Sequence, residues 1–503
     1  MQAGTDAPPQ LLGDELEPGI NMIGYLRAIN GTAEGSRLLL TALDRTGIPH
    51  TTIDYKASPS QVGTDLAERR DGVPVHDVNL LCVNADMTPR FAVDAGPEIF
   101  LNRYTIGTWA WETEELPPYL LGALDWVDEV WVPSDYSRQA VQKATEKPVL
   151  TFHHPIAAPD VDPTVTRATL GLPDAYTFLF IFDYFSVARR KNAEGLVAAF
   201  SQAFPPGEGP VLVIKTINAE HRPEEAGALL QAAAGRPDIV VIDRYLPARH
   251  KNALIGLADC YVSLHRSEGF GLTLAEAMAL GKPVIATGYS GNLDFMSEQN
   301  SYLVKARPVL VGGDSTIYPA TGRWGEPDLA DAARLMRHVY EHPDEAAALG
   351  EQARRDIAEK HSVDRGAEFI RRRYEEVREG PLRALQGGGE RWSTARAMQR
   401  ASLALARGPQ VDLATARDGV YSQVSRGYRR LLKRLMRNNW VYQQEVGNAL
   451  LEAIRETDAR RQKEAAELGR RLAAIESALA GTATVPNPGA AEPPAEPDPQ
   501  HQA

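Results

Sequence analysis

Short apolar runs alternate with longer segments of mixed polarity from about residue 20 to about residue 380. The run Ile20-Asn-Met-Ile-Gly-Tyr-Leu26 predicts a first strand, followed by a glycine-containing loop (Asn30, Gly31, Gly35) and a helix over 36–45. Further strands are expected at 51–55, 77–84, 105–108 and 129–132, with helices near 120–126 and 137–143. A second series opens at 178–182 and continues with strands at 211–215, 239–242, 261–264 and 283–286. Its helices are expected over 272–280, 329–340 and 344–361, with a last one ending near residue 379. Alternation of this kind predicts parallel sheets covered on both faces, an α/β fold.

Past Gly387-Gly388-Gly389 the pattern changes. Val424, Tyr428, Leu431 and Leu435, then Leu468, Leu472, Ile475 and Leu479, fall at heptad-like spacing, which predicts coiled-coil-like helices. Self-association or a partner helix is the commoner use of such a stripe. The basic, leucine-rich stretch 426–440 also suits an anionic membrane surface. The chain therefore divides into a polar, disordered N-terminus (1–18), an N-terminal Rossmann-like domain (19–155) and a C-terminal Rossmann-like domain (164–380). A helical extension (390–480) and a disordered tail rich in Ala, Pro and Glu (481–503) follow.

Bulk properties narrow the class. A length of 503 residues suits two domains with extensions, and a net charge of -12 argues against general nucleic-acid binding. The two cysteines, Cys82 and Cys260, lie in apolar strand-like runs, as expected of buried free thiols in a reducing compartment. No apolar run approaches the ~20 residues of a membrane span. The first residues lack the basic and apolar regions of a signal peptide, so a soluble cytoplasmic protein is expected, with peripheral contact at the inner membrane face if the basic stretch binds lipid.

The most informative stretch is Ser263 to Phe295, SLHRSEGFGLTLAEAMALGKPVIATGYSGNLDF. Gly269 and Gly271 let the backbone turn tightly and approach a ligand. The following helix presents free N–H groups, at about Phe270, Gly271, Leu272 and Thr273, to the loop mouth, which suits a diphosphate. Glu268 on the loop can accept bonds from sugar hydroxyls, and Glu276, a turn into the helix, can grip a vicinal diol such as a ribose. Together these features describe a nucleotide-sugar site. In the first half, Trp109, Trp111 and Glu112 follow a strand at its carboxyl end; the rings can stack on sugars, and Glu112 can bond an acceptor hydroxyl or act on its proton. Packing of the tryptophans into the domain core is an equal alternative.

The stretch Ser263 to Phe295, with EGFG, AEAMA, GKPVIAT and GNLDF in order, resembles the donor-site signature of family 4 retaining glycosyltransferases. That resemblance implies the GT-B fold, two Rossmann-like doubly wound domains facing a cleft, with the last helix crossing back onto the first domain. It assigns the donor sugar to Glu268 and the ribose to Glu276. It also implies basic residues for the diphosphate after the first strand of the second domain, where Lys191 matches the lysine and Arg190 or Arg189 replaces an arginine found earlier in other members. Tyr245 is implied near the nucleotide base, Asn292 near the donor sugar, and Gly31 at the cleft. The histidine that many members carry in the first domain has no counterpart. The implied reaction is transfer of a hexose from a nucleotide diphosphate sugar to a glycan or lipid-linked acceptor, as in surface polysaccharide or glycoconjugate synthesis. It would proceed with retention and without a metal or other cofactor, since no aspartate pair of the DxD kind stands beside the donor motif. Two alternatives remain: another GT-B enzyme, such as a nucleotide-sugar epimerase or a phosphorylase, and a non-catalytic scaffold acting through its helical tail.

Overall fold

A computed structural model of the chain describes residues 16–56, 60, 72–100, 102–157, 159–313, 317–386 and 470. The described elements belong, apart from residue 470, to one compact unit, 1–399. The first six strands are β1 (Glu17–Gly24), β2 (His50–Asp54), β3 (His76–Cys82), β4 (Tyr104–Thr108), β5 (Glu129–Val132) and β6 (Val149–Thr151). They form a parallel sheet in the order β2-β1-β3-β4-β5-β6. The next six are β7 (Thr177–Asp183), β8 (Val211–Ile217), β9 (Ile239–Asp243), β10 (Cys260–Ser263), β11 (Val284–Thr287) and β12 (Tyr302–Val304). These pair in parallel in the order β12-β11-β10-β7-β8-β9, the doubly wound order of a nucleotide-binding sheet. An antiparallel hairpin, β13 (Ala306–Leu310) with β14 (Arg323–Pro327), completes the strands described.

Strands buried on both faces read as continuous apolar runs, and Phe178-Leu-Phe-Ile-Phe182 in β7 is the strongest of them. Its Phe178 packs against Phe200 of the helix Ala193–Ala203 and Phe204 just after it, at ring separations of 6.1 and 5.7 Å. In the first sheet the polar residues Asn21 and Asn79 are buried, yet each is satisfied. Asn21 donates to Asn79 at 2.9 Å, and Asn79 donates to the Ile99 carbonyl at 2.7 Å.

The helix Val363–Glu379 packs against the helix Gly31–Asp44 and buries Ile370 and Val377 in the core of the first sheet, with Met22, Leu39 and Leu43. Gly366 permits the close approach, since a Cβ there would meet the Ala42 Cβ at 3.0 Å. Arg373 on the same helix reaches Glu129 of β5, with Nη2 to Oε2 at 2.6 Å. A late segment of the chain is thereby built into the first sheet.

Some sequence expectations shift. The first helix begins at Gly31 and not at residue 36, because the Asn30 side chain accepts from the Ala33 N–H at 2.8 Å and caps the helix there. Gly31 is therefore a helical residue and not part of a loop, and Gly35 lies inside the helix against His154, whose ring a Cβ would meet at 2.8 Å. Strand β1 starts at Glu17, inside the stretch expected to be disordered. The hairpin has no signal in the sequence pattern: β13 is largely exposed, so no hydrophobic period marks it. The expected breaks and helices of 390–480 and the tail 481–503 lie outside the described residues apart from Arg470. Among the described residues no helix is long and apolar enough to cross a membrane.

Candidate active site

Two loops meet where the second sheet reverses its strand order, one after β7 and one after β10, and open α/β sheets bind ligands at such points. Their backbones are held in uncommon conformations. Val187 and Asn192 after β7 have positive φ (62° and 58°), Gly271 after β10 has φ 99°, and Ser290, in the loop after β11 that braces Glu268, has φ 75°. Such strain in a β-branched residue persists only where the surroundings over-determine it, and it concentrates at functional sites.

Val187 and Asn192 bracket the short helix Ala188–Lys191, and that turn aims Arg190 and Lys191 at Glu268. Lys191 Nζ lies 2.5 Å from Glu268 Oε1, and Arg190 Nη1 lies 3.1 Å from Oε2. Arg190 also donates to the Ser267 carbonyl at 2.5 Å, while its Nε is buried without a partner. Arg189 takes another path and lies over the Trp324 ring, 5.1 Å from its centre. Of the two arginines, Arg190 is the one in the cluster.

The glutamate loop is fixed from several sides. The Glu268 N–H donates to Ser290 Oγ at 2.8 Å, and the Gly291 N–H donates to the Glu268 carbonyl at 3.0 Å. Ser134 of the N-terminal half donates to the Gly269 carbonyl at 2.6 Å. Gly291 must lack a side chain, because a Cβ would stand 2.2 Å from the Gly269 carbonyl oxygen.

Burial opposes the Glu268 charge, but the Lys191 and Arg190 cations outweigh it and hold the carboxyl far below its ordinary range. Burial lowers the Lys191 pKa; Glu268 opposes that shift and Arg190 adds to it. His265 sits behind the loop, with Nδ1 3.0 Å from Ser263 Oγ and Nε2 3.1 Å from Asn292 Oδ1, and burial depresses its pKa to about 4.

Glu276 projects from the helix Leu272–Ala279, with Oε1 2.6 Å from Lys251 Nζ and Oε2 buried without a partner. Burial raises its pKa, partly offset by Lys251, and Glu34 across the cleft pushes the same way as burial. Glu34 itself lies lower than usual: burial opposes its charge, and Arg37 and Lys251 overcome that. Glu34 accepts from Arg37 Nη2 at 2.5 Å. The first helix thus carries a carboxylate that feels Lys251, and its neighbour His154 is part-buried, with Nδ1 shut off from solvent. Neither Glu34 nor Lys251 stands in a recognisable motif, and their proximity to Glu276 is created only by the fold.

The remaining sequence candidates separate. Glu112 joins the cluster from the first domain: its Oε2 accepts from Tyr318 Oη at 3.0 Å, and its Oε1 lies 3.9 Å from Arg190 Nη2. Trp109 and Trp111 are core residues, 2% and 3% exposed, so they do not present faces to a sugar. Phe270 is turned inward against His154, Phe295 and His361, leaving only its backbone to the loop. Asn292 is also turned inward, donating to the Thr287 carbonyl at 3.0 Å, and is a brace for the loop. Leu272 opens the helix. Gly31 has open space where a Cβ would be. Tyr245 is part exposed and lines a cavity of about 160 Å³ with Asn218, Asp243, Arg244 and, from the first domain, Ile29.

Residues 179–356, which carry Arg190, Lys191, Glu268 and Glu276, match the family model described as glycosyl transferases group 1. No curated protein matches the sequence. Among solved structures, the chain is similar to HepE from Anabaena in complex with UDP and glucose (TM-score 0.53, 12% identity, 71% of this chain and 100% of that one). It is similar to sucrose-phosphate synthase from Thermosynechococcus elongatus (TM-score 0.53, 17% identity, 72% and 99%). A glycosyltransferase from Rickettsia africae aligns equally well (TM-score 0.53, 14% identity, 72% and 99%). The two six-stranded sheets are the Rossmann-like halves of a GT-B fold, and the segment that matches the glycosyl transferases group 1 model lies in the second of them.

Proposed function

We propose that the protein transfers a hexosyl group, with retention, from a nucleoside diphosphate sugar to a glycan or lipid-linked acceptor, in the manner of family 4 glycosyltransferases. The observation that carries this reading is the pairing of Glu268 with Lys191 and Arg190 at the switch point of the second sheet. A buried arginine and a part-buried lysine beside a carboxylate, on the loop that leads into the helix Leu272–Ala279, suit a diphosphate joined to a sugar.

In this reading Glu268 accepts hydroxyl hydrogens of the donor sugar, and Lys191 and Arg190 meet the diphosphate. The unpartnered Oε2 of Glu276 takes a ribose hydroxyl, which would satisfy an otherwise costly buried oxygen. The cavity at Tyr245 receives the base. The bond from C1 to the diphosphate oxygen breaks as C1 bonds the acceptor oxygen on the same face, and the acceptor proton passes to the leaving phosphate. The fixed positive charge of Arg190 and Lys191 stabilises the departing dianion, so the reading needs no metal ion. Glu112 faces the acceptor hydroxyl. Both cysteines are buried and unpaired, which favours a reducing, cytoplasmic setting.

A calorimetric panel of GDP-, UDP-, ADP- and TDP-sugars, run on wild type and Glu276→Ala, tests the reading. One nucleotide class should bind wild type and lose affinity in the variant. Failure of every nucleotide sugar to bind at millimolar concentration would reject it.

A further inference from the structure

We propose that the β13–β14 hairpin walls the acceptor side of the site, and that Tyr318, in the connection between its strands, is a positioning residue that holds Glu112. The inference rests on the reading above, in which Glu112 faces the acceptor.

The hairpin is tied at its base to the loop that carries the charged cluster. Arg266 donates to Glu326 through Nε at 2.6 Å and Nη2 at 2.9 Å, and the Gly325 N–H donates to the Arg266 carbonyl at 2.8 Å. Trp324, 1% exposed, lies under both Arg189 and Arg266. From this anchor the chain crosses to the other half of the molecule. The Tyr119 hydroxyl of the first domain bonds the Ile317 carbonyl, and a Cβ on Gly322 would touch Thr113 Cγ2 at 3.5 Å. Between these contacts Tyr318 is 5% exposed, its ring 5.4 Å from Trp111 and 6.3 Å from Trp324.

A ring held on two sides has little freedom, so its hydroxyl is aimed by packing and not by chance. That hydroxyl donates to Glu112 Oε2. Burial keeps the phenol protonated, and it therefore remains a donor across any working pH. With Oε2 engaged, Oε1 is the oxygen left to face an incoming hydroxyl, 3.9 Å from Arg190 Nη2. A residue from the second domain thus sets the orientation of a carboxylate from the first. The acceptor side becomes complete only when both halves are in this relation.

The test uses the full chain and four proteins: wild type, Tyr318→Phe, Glu112→Gln and the double variant. Donor affinity is measured by calorimetry. Turnover is measured as nucleoside diphosphate release, with water alone and with p-nitrophenyl hexosides as acceptor probes. Tyr318→Phe keeps the ring and its packing, so it should bind donor as wild type does and melt within about 2 °C of it. Its kcat should fall about ten-fold or more, the loss expected for a hydrogen bond to a charged group. Because the hydroxyl acts through Glu112, the double variant should be no slower than Glu112→Gln. Wild-type turnover in Tyr318→Phe, or losses that multiply in the double variant, would overturn the inference and leave the proposed function standing. If wild type binds a donor but releases no diphosphate under either condition, the role of Glu112 falls and the inference with it.

Discussion

Lys191 Nζ stands 2.5 Å from Glu268 Oε1, joining the loop after the first strand of the second sheet to the loop after the fourth. Arg190 takes the other carboxylate oxygen, so a single part-buried anion is shared by two cations. A diphosphate entering here, as proposed, would meet charge that is already oriented, with no rearrangement needed at the moment of reaction. Replacing Lys191 by Ala should therefore lower turnover about 10²–10³-fold, the usual cost of removing one such stabilising group. Glu268→Gln should be the less stable protein of the two, by roughly 3 kcal/mol, because it leaves two enclosed cations without their anion. Steady-state kinetics and urea unfolding check both. A Lys191→Ala enzyme with near-normal kcat would remove the diphosphate from this place.

Lys251 and Glu276 form a second pair, in which one carboxylate oxygen is held and the other is not. Lys251→Met would leave the Glu276 charge opposed by burial and by Glu34, so its pKa, already raised, should rise further. Once that pKa passes the working pH, nucleotide affinity should fall about ten-fold for each further unit of rise and recover as pH increases. Titration calorimetry of the nucleotide between pH 6 and 9 gives the answer. An affinity loss that does not change with pH would mean that Lys251 contacts the nucleotide itself.

The block from Ser263 to Phe295 is legible in the sequence because its strand, glycines, helix and two glutamates lie in one continuous segment. Each piece there restricts the reading of the next. Lys191 is legible for the related reason that it follows the first strand of a repeating series. Glu34, Arg37 and Lys251 are not legible, since they reach Glu276 from other elements and from the other half of the molecule. Tyr318 is hidden by a hairpin whose first strand is mostly exposed. Trp109 and Trp111 mislead because an aromatic ring at a strand end serves a core as readily as a sugar, and only burial separates the two uses. The early start of the first helix was available from Asn30, a strong N-cap residue.

His361 is buried and His154 part-buried beside His153 where the two halves join, and burial, the largest influence, depresses both to about pKa 4. An unfolded chain takes up these protons near pH 6.5, whereas the folded protein does not until near pH 4. Stability is then complete above about pH 6.5 and declines as pH falls toward 4, by ~2 kcal/mol per histidine at pH 5. His154→Gln cannot take up that proton, so its melting temperature should fall less steeply between pH 7 and 5 than that of wild type. Parallel slopes would show that His154 is not part of the acid sensitivity.

Gly291 and Gly269 touch through their backbones, and a methyl group on Gly291 would overlap the Gly269 carbonyl as well as Ser134 Oγ at 2.7 Å. Neither backbone can retreat without moving Glu268, whose carbonyl accepts the Gly291 N–H. Gly291→Ala should cost roughly 1–3 kcal/mol of stability and, more tellingly, weaken donor binding well beyond what partial unfolding explains. Melting curves with and without the nucleotide sugar separate the two effects. Unchanged donor affinity in a destabilised Gly291→Ala protein would free the glutamate loop from any role in binding.

Arg373 offers the sharpest test of how the last helix holds the first sheet. Its partner Glu129 is wholly buried and also accepts from Trp131 Nε1 at 2.6 Å and Tyr104 Oη at 3.0 Å. The guanidinium supplies the only formal positive charge bonded to that carboxylate among the described residues, through Nε at 2.9 Å and Nη2 at 2.6 Å. Arg373→Met should cost about 3–5 kcal/mol, since it leaves a buried anion uncompensated. Arg373→Lys keeps the charge but not the planar fork and should fall between the two. Adding Glu129→Gln to Arg373→Met should recover part of the loss, because the anion is then gone while the Trp131 and Tyr104 donors keep an acceptor. Urea unfolding of the four proteins measures each step. If Arg373→Met alone lies within about 1 kcal/mol of wild type, apolar contacts such as Ile370 and Val377 hold the helix, and the ion pair contributes little.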